Sequence, residues 1–366
     1  MRVKLKDITK FSKGTQINGK NLIDDGAYSY LNGGINPSGK WNEFNVAENT
    51  VTISEGGNSS GYVNYMSKAF WCGAHCYYLY DGPKNSKYLY YALKSQQERL
   101  FRIRSGACMP NIKKSDLGNF IIEYEEDETR QEEVVKVLEK CELLIEDYNK
   151  KLALLDEAVR ARFVEMFGDE NNSKGWEIVN IEDVANVQVG VVIKPSQYYT
   201  DQYNGIKAFR SLNIGDGYIK DDDWVYFSKE GNKKNKKSIL STNDVLVVRS
   251  GAPGTACVVT SEYAGSNAID VIIAHPDFQK VDSRYLCTYT NMPHGKSQII
   301  EGTGGAAQQH FNVGKYNKLK LMLPPLEYQK QYVKFLEEID KSRSRIQKSL
   351  EASQELFDSL MQKYFG

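Results

Sequence analysis

The sequence predicts an α+β protein made of two β-rich mixed domains, each followed by a long coiled-coil helix, so that the chain repeats itself once. Three observations carry this. Two segments of helical composition align without a gap at an offset of 198 residues. Both hold an unbroken heptad seam. The stretches ahead of them open alike and contain short β-type runs divided by Gly, Asn and Ser.

The first helical segment runs from Gln131 to Gly168 and the second from Gln329 to Gly366. Gln131 matches Gln329, Val135 matches Val333, Lys136 matches Lys334, and Leu138-Glu139 match Leu336-Glu337. Leu152 matches Leu350, Glu157 matches Glu355, and both segments close on Phe-Gly. The first seam is Val134, Leu138, Cys141, Ile145, Tyr148, Leu152, Leu155, Val159, Arg162 and Met166. The second is Tyr332, Leu336, Ile339, Arg343, Ile346, Leu350, Ser353, Phe357, Leu360 and Tyr364. Steps of four and three keep one stripe facing a partner helix. Neither segment contains Pro, and Gly stands only at the end, where it can cap. About 38 residues at 1.5 Å each give roughly 55 Å, too long for one compact domain, so each helix reads as a spacer.

The domains lie ahead of the helices. Val3–Ile8 parallels Val179–Val184, with Asp7 over Asp183 and Gly14 over Gly190. Tyr88-Leu89-Tyr90 parallels Tyr285-Leu286-Cys287. The boundaries are a first domain at 1–125, a first helix at 126–168, a second domain at 169–325 and a second helix at 326–366. Strands are expected at Asn49–Ser54, Phe120–Tyr124, Val245–Val248, Cys257–Thr260 and Val271–Ala274, and short helices at Tyr88–Arg99 and Arg284–Asn291. Pro324-Pro325 stops the last strand and sets up the second long helix.

Composition places the 366 residues among soluble globular proteins: 41% hydrophobic, 26% charged and no net charge. No apolar run resembles a signal peptide or a membrane span, so a cytoplasmic protein with six reduced cysteines is expected. The charge is uneven. Residues 1–125 carry a net +5 and residues 126–168 a net −5.

Motifs of chemistry are incomplete. Gly34–Lys40 has the spacing of a phosphate-binding loop, but Trp41 stands where Ser or Thr would hold magnesium. Cys72, His75 and Cys76 lie close together but lack the second ligand pair of a structural zinc site, and a buried aromatic-flanked strand is the better reading. His75, His275, His294 and His310 form no triad with a Gly-flanked nucleophile. Pro276-Asp277 lacks the acid-x-Lys of a nuclease. Asn291-Met292-Pro293-His294 lacks the second proline and the aromatic of an adenine methyltransferase motif. No catalytic residue, metal or cofactor is expected.

Leu323-Pro324-Pro325-Leu326-Glu327-Tyr328-Gln329 leading into a long helix, with Trp176-Glu177-Ile178-Val179, the Gly-rich 302–309 stretch and the terminal Lys363-Tyr364-Phe365-Gly366, resembles the specificity subunits of type I restriction-modification enzymes. The resemblance covers the whole chain. It implies two target-recognition domains joined by two antiparallel spacer helices in a pseudo-two-fold arrangement. Each domain would read one half of a bipartite site in double-stranded DNA, with the helices fixing the gap. It also implies two methyltransferase subunits docked on the helices and a restriction-translocase subunit beyond them. The first junction departs from the pattern, with Glu125-Glu126-Asp127-Glu128 in place of the two prolines.

Polar loops supply the expected DNA contacts, since base edges are read by amides and guanidinium groups and phosphates by cations and backbone amides. In the first domain these are Lys13, Gln16, Asn32, Lys40, Asn58 and Ser59. In the second they are Lys194, Arg210, Lys233, Lys234, Arg249, Ser250, Thr303, Gln308 and Gln309. Apolar positions off the seam are expected to meet partner subunits: Leu143, Leu144, Leu154 and Phe163 on the first helix, and Val333, Phe335 and Met361 on the second. Two other classes compete. A coiled-coil scaffold would ignore DNA, and a recognition fragment of a fused restriction-methylation enzyme would need further catalytic domains.

Overall fold

A computed structural model describes residues 1–106, 108–303 and 311–366. The chain forms two compact units, one of residues 1–150 with 346–366 and the other of residues 151–345.

The first unit holds β1 (Arg2–Lys4), α1 (Leu5–Ile8), β2 (Lys10–Lys13), β3 (Tyr28–Leu31), β4 (Gly39–Trp41), β5 (Thr50–Ser54), β6 (Val63–Met66), β7 (Phe70–Cys72) and β8 (Cys76–Tyr80). Then come α2 (Ser86–Lys94), α3 (Gln97–Arg102), α4 (Lys114–Gly118), β9 (Ile121–Glu123) and the first part of the long α5 (Glu128–Phe167), whose residues from 151 belong to the second unit. The second unit contains β10 (Glu177–Asn180), β11 (Ala185–Val189), β12 (Tyr199–Thr200), β13 (Ile206–Phe209), β14 (Val225–Phe227), α6 (Lys229–Lys234), β15 (Val245–Val248), β16 (Ala256–Val258), β17 (Asn267–Ala268) and β18 (Val271–Pro276). It continues through α7 (Ser283–Asn291), α8 (Pro293–Thr303), α9 (Val313–Asn317) and β19 (Lys320–Leu323) into the long α10 (Leu326–Phe365).

The sheets repeat as the sequence does. An antiparallel sheet ordered β2-β8-β5-β6 in the first unit answers one ordered β11-β18-β15-β16 in the second. Beside it, β3 pairs antiparallel with β4 and parallel with β7, as β13 pairs with β14 and β17. The β1–β9 pair answers β10–β19. The expected single helix at Tyr88–Arg99 is two, α2 and α3, because the chain leaves the helix at Ser95-Gln96 and restarts. The expected strand at Cys257–Thr260 starts one residue earlier and is shorter.

Burial on both faces explains the apolar run of β15. Val245 and Val247 face α7 and the long helices, while Leu246 and Val248 face the second sheet. In β5 the alternation is mixed: Val51 and Ile53 enter the helix-side core, and Thr52 and Ser54 point the other way.

The matched glycines have a steric cause. A Cβ on Gly14 would sit 1.8 Å from the Cys72 carbonyl oxygen, and one on Gly190 would sit 2.4 Å from that of Ala268. Each glycine lets the edge strand leave its own sheet and bond the other: Thr15 N donates to Cys72 O at 2.9 Å and Val191 N to Ala268 O at 2.7 Å.

The long helices bury every seam residue at least in part. Each unit takes pieces of both. In the first unit Val134, Val135 and Leu138 of α5 share a core with Phe357, Met361 and Phe365 of α10. In the second, Phe163 and Phe167 of α5 share a core with Tyr332 and Leu336 of α10. In the second unit the helix segments run antiparallel, since Tyr332 donates its hydroxyl to Val159 O at 3.2 Å and Arg343 pairs with Asp156 at 2.6 Å. Matched aromatics close the helix ends: Phe167 meets Tyr285 at 4.9 Å between ring centres, and Phe365 meets Tyr88 at 5.2 Å.

The matched glutamines are buried amides. Gln329 Nε2 donates to Pro324 O at 2.8 Å and Lys280 O at 3.1 Å, and its Oε1 accepts from Asp282 N at 2.8 Å. Gln131 Nε2 donates to Glu125 O at 2.6 Å and the Tyr124 hydroxyl at 2.9 Å. Each pins a helix start to the loop that enters it.

Two outcomes follow. Gln329→Leu lowers unfolding free energy in denaturant melts by about 2–3 kcal/mol, because buried backbone groups lose their partner. Gln331→Leu, exposed two residues on, changes it by less than about 0.5 kcal/mol. Deleting residues 346–366 raises hydrogen exchange throughout α2, which loses Phe365, while β15 and β18 keep their protection.

Candidate nucleic-acid interface

In each unit the polar loops gather. In the first, Ser54 and Ser59 both donate their hydroxyls to Gly33 O, the latter at 2.6 Å, tying the β5–β6 loop to the β3–β4 loop. Asn64 Nδ2 donates to Ile35 O at 3.2 Å. Asn32 Oδ1 accepts from His75 N at 3.3 Å, which adds the β7–β8 turn. Gly57 N donates to Pro110 O at 2.9 Å, and Ser105 and Asn111 exchange backbone bonds at 2.9 Å, adding the segment between α3 and α4. In the second unit Asp270 N donates to Val191 O at 3.2 Å, Gly217 N to Ala256 O at 2.9 Å and Phe311 N to Arg249 O at 3.2 Å. The segments expected around Lys13–Gln16, Asn32–Lys40 and Glu55–Ser60 thus lie together, joined by the 73–75 and 104–112 stretches that sequence reasoning missed. The 73–75 turn lies within the Cys72, His75 and Cys76 cluster, read above only for metal, and the 104–112 stretch sits next to no motif, so that only the exchanged bonds of Ser105 and Asn111 reveal it.

Several of the expected contact residues have partners within the chain. Lys13 pairs with Glu55, whose side chain is 9% exposed and also lies 3.7 Å from His75. Burial, reinforced by the Glu55 charge, pushes the neighbouring Tyr77 hydroxyl up to about 12. Asn32 and Ser59 brace the loops. Arg210 is held by Asp223 through both its carbonyl and a carboxylate contact at 3.1 Å. Arg249 is 14% exposed, pairs with Asp270 and donates to Phe311 O at 3.0 Å. These groups brace the loops through ion pairs and hydrogen bonds within the chain.

Gln16, Lys40 and Asn58 are exposed, and so is Lys194, in a left-handed conformation at φ +42°. Lys233 and Lys234 are exposed on α6 rather than on a loop, and α6 packs on the turn after Lys194 through Gly231 and Tyr198. Ser250 is half-buried. The side chain of Thr303 and all of Gln308 and Gln309 lie outside the described residues, as does His310.

Off-seam positions divide. Leu143, Leu144 and Leu154 are 63%, 47% and 60% exposed on α5. Phe163 and Met361 are buried in the cores, which removes them from any partner surface: the globes, not a second protein, cover those helix faces. Val333 is half-buried, and Phe335 packs against the second unit's core.

The incomplete motifs resolve structurally. Lys40 lies inside β4, and strand rather than helix follows Gly39, so Gly34–Lys40 is no phosphate loop. Cys72 and Cys76 are buried in adjacent strands while His75 is exposed, and Cys72 Sγ donates to Cys76 O at 3.4 Å. No cluster of His, Cys, Asp and Glu that could hold a metal occurs among the described residues. His275 Nδ1 meets Asp244 at 2.6 Å and its Nε2 meets Gln188 at 2.7 Å, and no Ser, Thr or Cys side chain completes a triad among the described residues. No described helix is long and apolar enough to cross a membrane.

The family model for the type I restriction modification DNA specificity domain matches residues 1–156 and 173–354. The chain belongs to this family. A protein of Mycoplasma pneumoniae named as a type I specificity subunit is 37% identical over 149 residues, 40% of each chain. The MjaVIII specificity subunit of Methanocaldococcus jannaschii is 22% identical over 271 residues, 69% of this chain and 63% of that one. The match spans about two fifths of the length of the first curated relatives. The crystal structure of the type I restriction-modification S subunit from M. genitalium shares the fold, with a TM-score of 0.67, 20% identity and coverage of 100% and 96%. The two 40-residue helices and paired sheets described above are therefore a family architecture, and the loop clusters are where members of the family can differ without disturbing it.

Thiol chemistry checks the packing. Of six cysteines only Cys108 is exposed, and burial raises Cys257 to about 12 and Cys287 well above its ordinary value. An aromatic disulfide reagent should titrate one thiol rapidly in the native protein and the other five only on unfolding. Two or more fast thiols would contradict the packing of β7, β8, β16 or α7.

Proposed function

We propose that this chain is the DNA-specificity subunit of a type I restriction-modification complex. Each domain reads one half of a bipartite double-stranded target. The chain does no chemistry itself and works in the cytoplasm. The observation that carries the reading is a pair of topologically matched domains, each with converging polar loops, on a chain whose family model spans nearly its whole length. Sequence discrimination needs amides and cations presented from loops on a rigid scaffold, and two such readers suit a split site.

The exposed Leu143, Leu144 and Leu154 of α5 are the docking positions for two methyltransferase subunits, with a restriction-translocase subunit joining them. A solved structure titled for complex assembly and conformational transition of the type I system has the same fold at a TM-score of 0.52, which supports assembly as the setting. Base readers are sought among the exposed Gln16, Asn58, Lys194, Lys233 and Lys234 together with the 302–309 stretch.

The test is the adenine methylation pattern of genomic DNA in cells making a matched methyltransferase subunit, with and without this chain. A split motif should be methylated only when the chain is present. Replacing residues 1–125 by those of another family member should change one half of that motif and leave the other. A stable complex that methylates no motif would instead make the chain a coiled-coil scaffold.

A further inference from the structure

The segment between α3 and α4 carries a charge pattern unlike any other loop of the first unit. Residues 99–114 include Arg99, Arg102, Arg104, Lys113 and Lys114, and no Asp or Glu. Arg99 lies over the Phe120 ring at 5.1 Å and Lys114 over Phe11 at 5.7 Å, which leaves three cations. The paired backbones of Ser105 and Asn111 bring the two ends of the segment side by side, and Asn111 also bridges to Gly56 of the β5–β6 loop.

Arg104 is the rigid member. Its guanidinium stacks on Phe101, 4.7 Å from the ring centre. Nε donates to Phe101 O at 2.7 Å and Nη1 to Asn58 O at 3.4 Å. Both acceptors are carbonyls, so the full positive charge stays uncompensated, and Arg104 has no carboxylate partner among the described residues. Several other cations near the loops differ: Lys13 pairs with Glu55, Lys207 with Asp221, Arg210 with Asp223 and Arg249 with Asp270. Arg102 and Lys113 are exposed and make no ion pair among the described residues.

We propose that Arg102, Arg104 and Lys113 form a phosphate clamp in the first domain, which grips the DNA backbone and sets the register in which that domain's other loops meet the bases. The inference rests on the DNA-reading role proposed above. Arg104, its guanidinium held by neutral acceptors, and the exposed Arg102 and Lys113 carry positive charge that no carboxylate among the described residues pairs with, which suits an anionic oxygen. Contacts to phosphate position the protein and carry no sequence information.

The experiment compares the complex of the full chain and its methyltransferase subunit with two variants, R102A/K113A and R104Q, on a random-sequence duplex and in the genomic methylation assay. The logarithm of affinity against the logarithm of salt concentration should become shallower by roughly 2 for the double variant and about 1 for R104Q, with binding to all sequences weakened alike. The methylated motif should stay the same. The double variant changes only exposed side chains, so its folding is not at issue, and a circular dichroism melt matching the parent confirms this. An unchanged slope while the parent binds DNA overturns the clamp alone. So does an altered motif position with unchanged slope, which would make Arg104 a guanine reader. If the parent complex neither binds DNA nor methylates a split motif, the DNA-reading role falls and the clamp with it.

Discussion

Each unit depends on an aromatic ring delivered by the far end of a long helix. Phe365 enters the core of the first unit 277 positions beyond Tyr88, the ring it meets, and Gln96 Nε2 holds its carbonyl at 3.1 Å. Phe167 enters the second, where it meets Tyr285 and Tyr332, and the Trp176 indole donates to its carbonyl at 3.0 Å. Removing such a ring from a packed core costs about 3–5 kcal/mol, comparable to much of a domain's stability. The globe therefore needs a helix end from the other repeat, and a 40-residue helix is tolerated because its start and end are both buried in folded protein.

That constraint frees the opposite ends of the sheets. Once the helix-side core is filled, the loops beyond β2, β3, β5 and β7 need only hold one another, and they do so with backbone carbonyls and a few acids. Glu55, Asp223 and Asp270 neutralise Lys13, Arg210 and Arg249. These pairs fix the shape of the rim, and the remaining cations are left for a ligand. A scaffold that spends its ordered charges internally and leaves exposed amides and lysines on short loops can change its ligand without changing its core.

Much of this was legible in the sequence because periodicity reports burial directly. Every heptad position from Val134 to Met166 and from Tyr332 to Tyr364 is shielded, and the closing Phe-Gly pairs mark the helix ends. Gln131 and Gln329 stood out only as identities, and their role as buried amides needed the acceptors at Glu125 and Pro324. Phe163 and Met361 were misread because an off-seam apolar residue looks the same whether a globe or another protein covers it. The ion pairs of Arg210 and Arg249 were not legible because their acids lie 13 and 21 residues away, beyond the reach of local pattern. Lys233 and Lys234 were expected on a loop, although Ser228 caps a helix that holds both and whose Gly231 packs on Tyr198. Arg104 was invisible for the converse reason. Its importance lies in having carbonyls where other arginines have carboxylates, and no sequence pattern encodes that.

On the function proposed above, two readers share one helix pair that sets the distance between their half-sites. The most direct measurement inserts one heptad into each long helix at the boundary between the units, after Lys150 in α5 and after Arg345 in α10, and maps the methylated motif. Seven residues preserve the seam and lengthen the helices by about 10 Å, which corresponds to roughly three base pairs. Both half-motifs should stay unchanged and the gap between them should lengthen by that amount. A methylated motif with its original gap would contradict it, because the helices would then not be what holds the two readers apart.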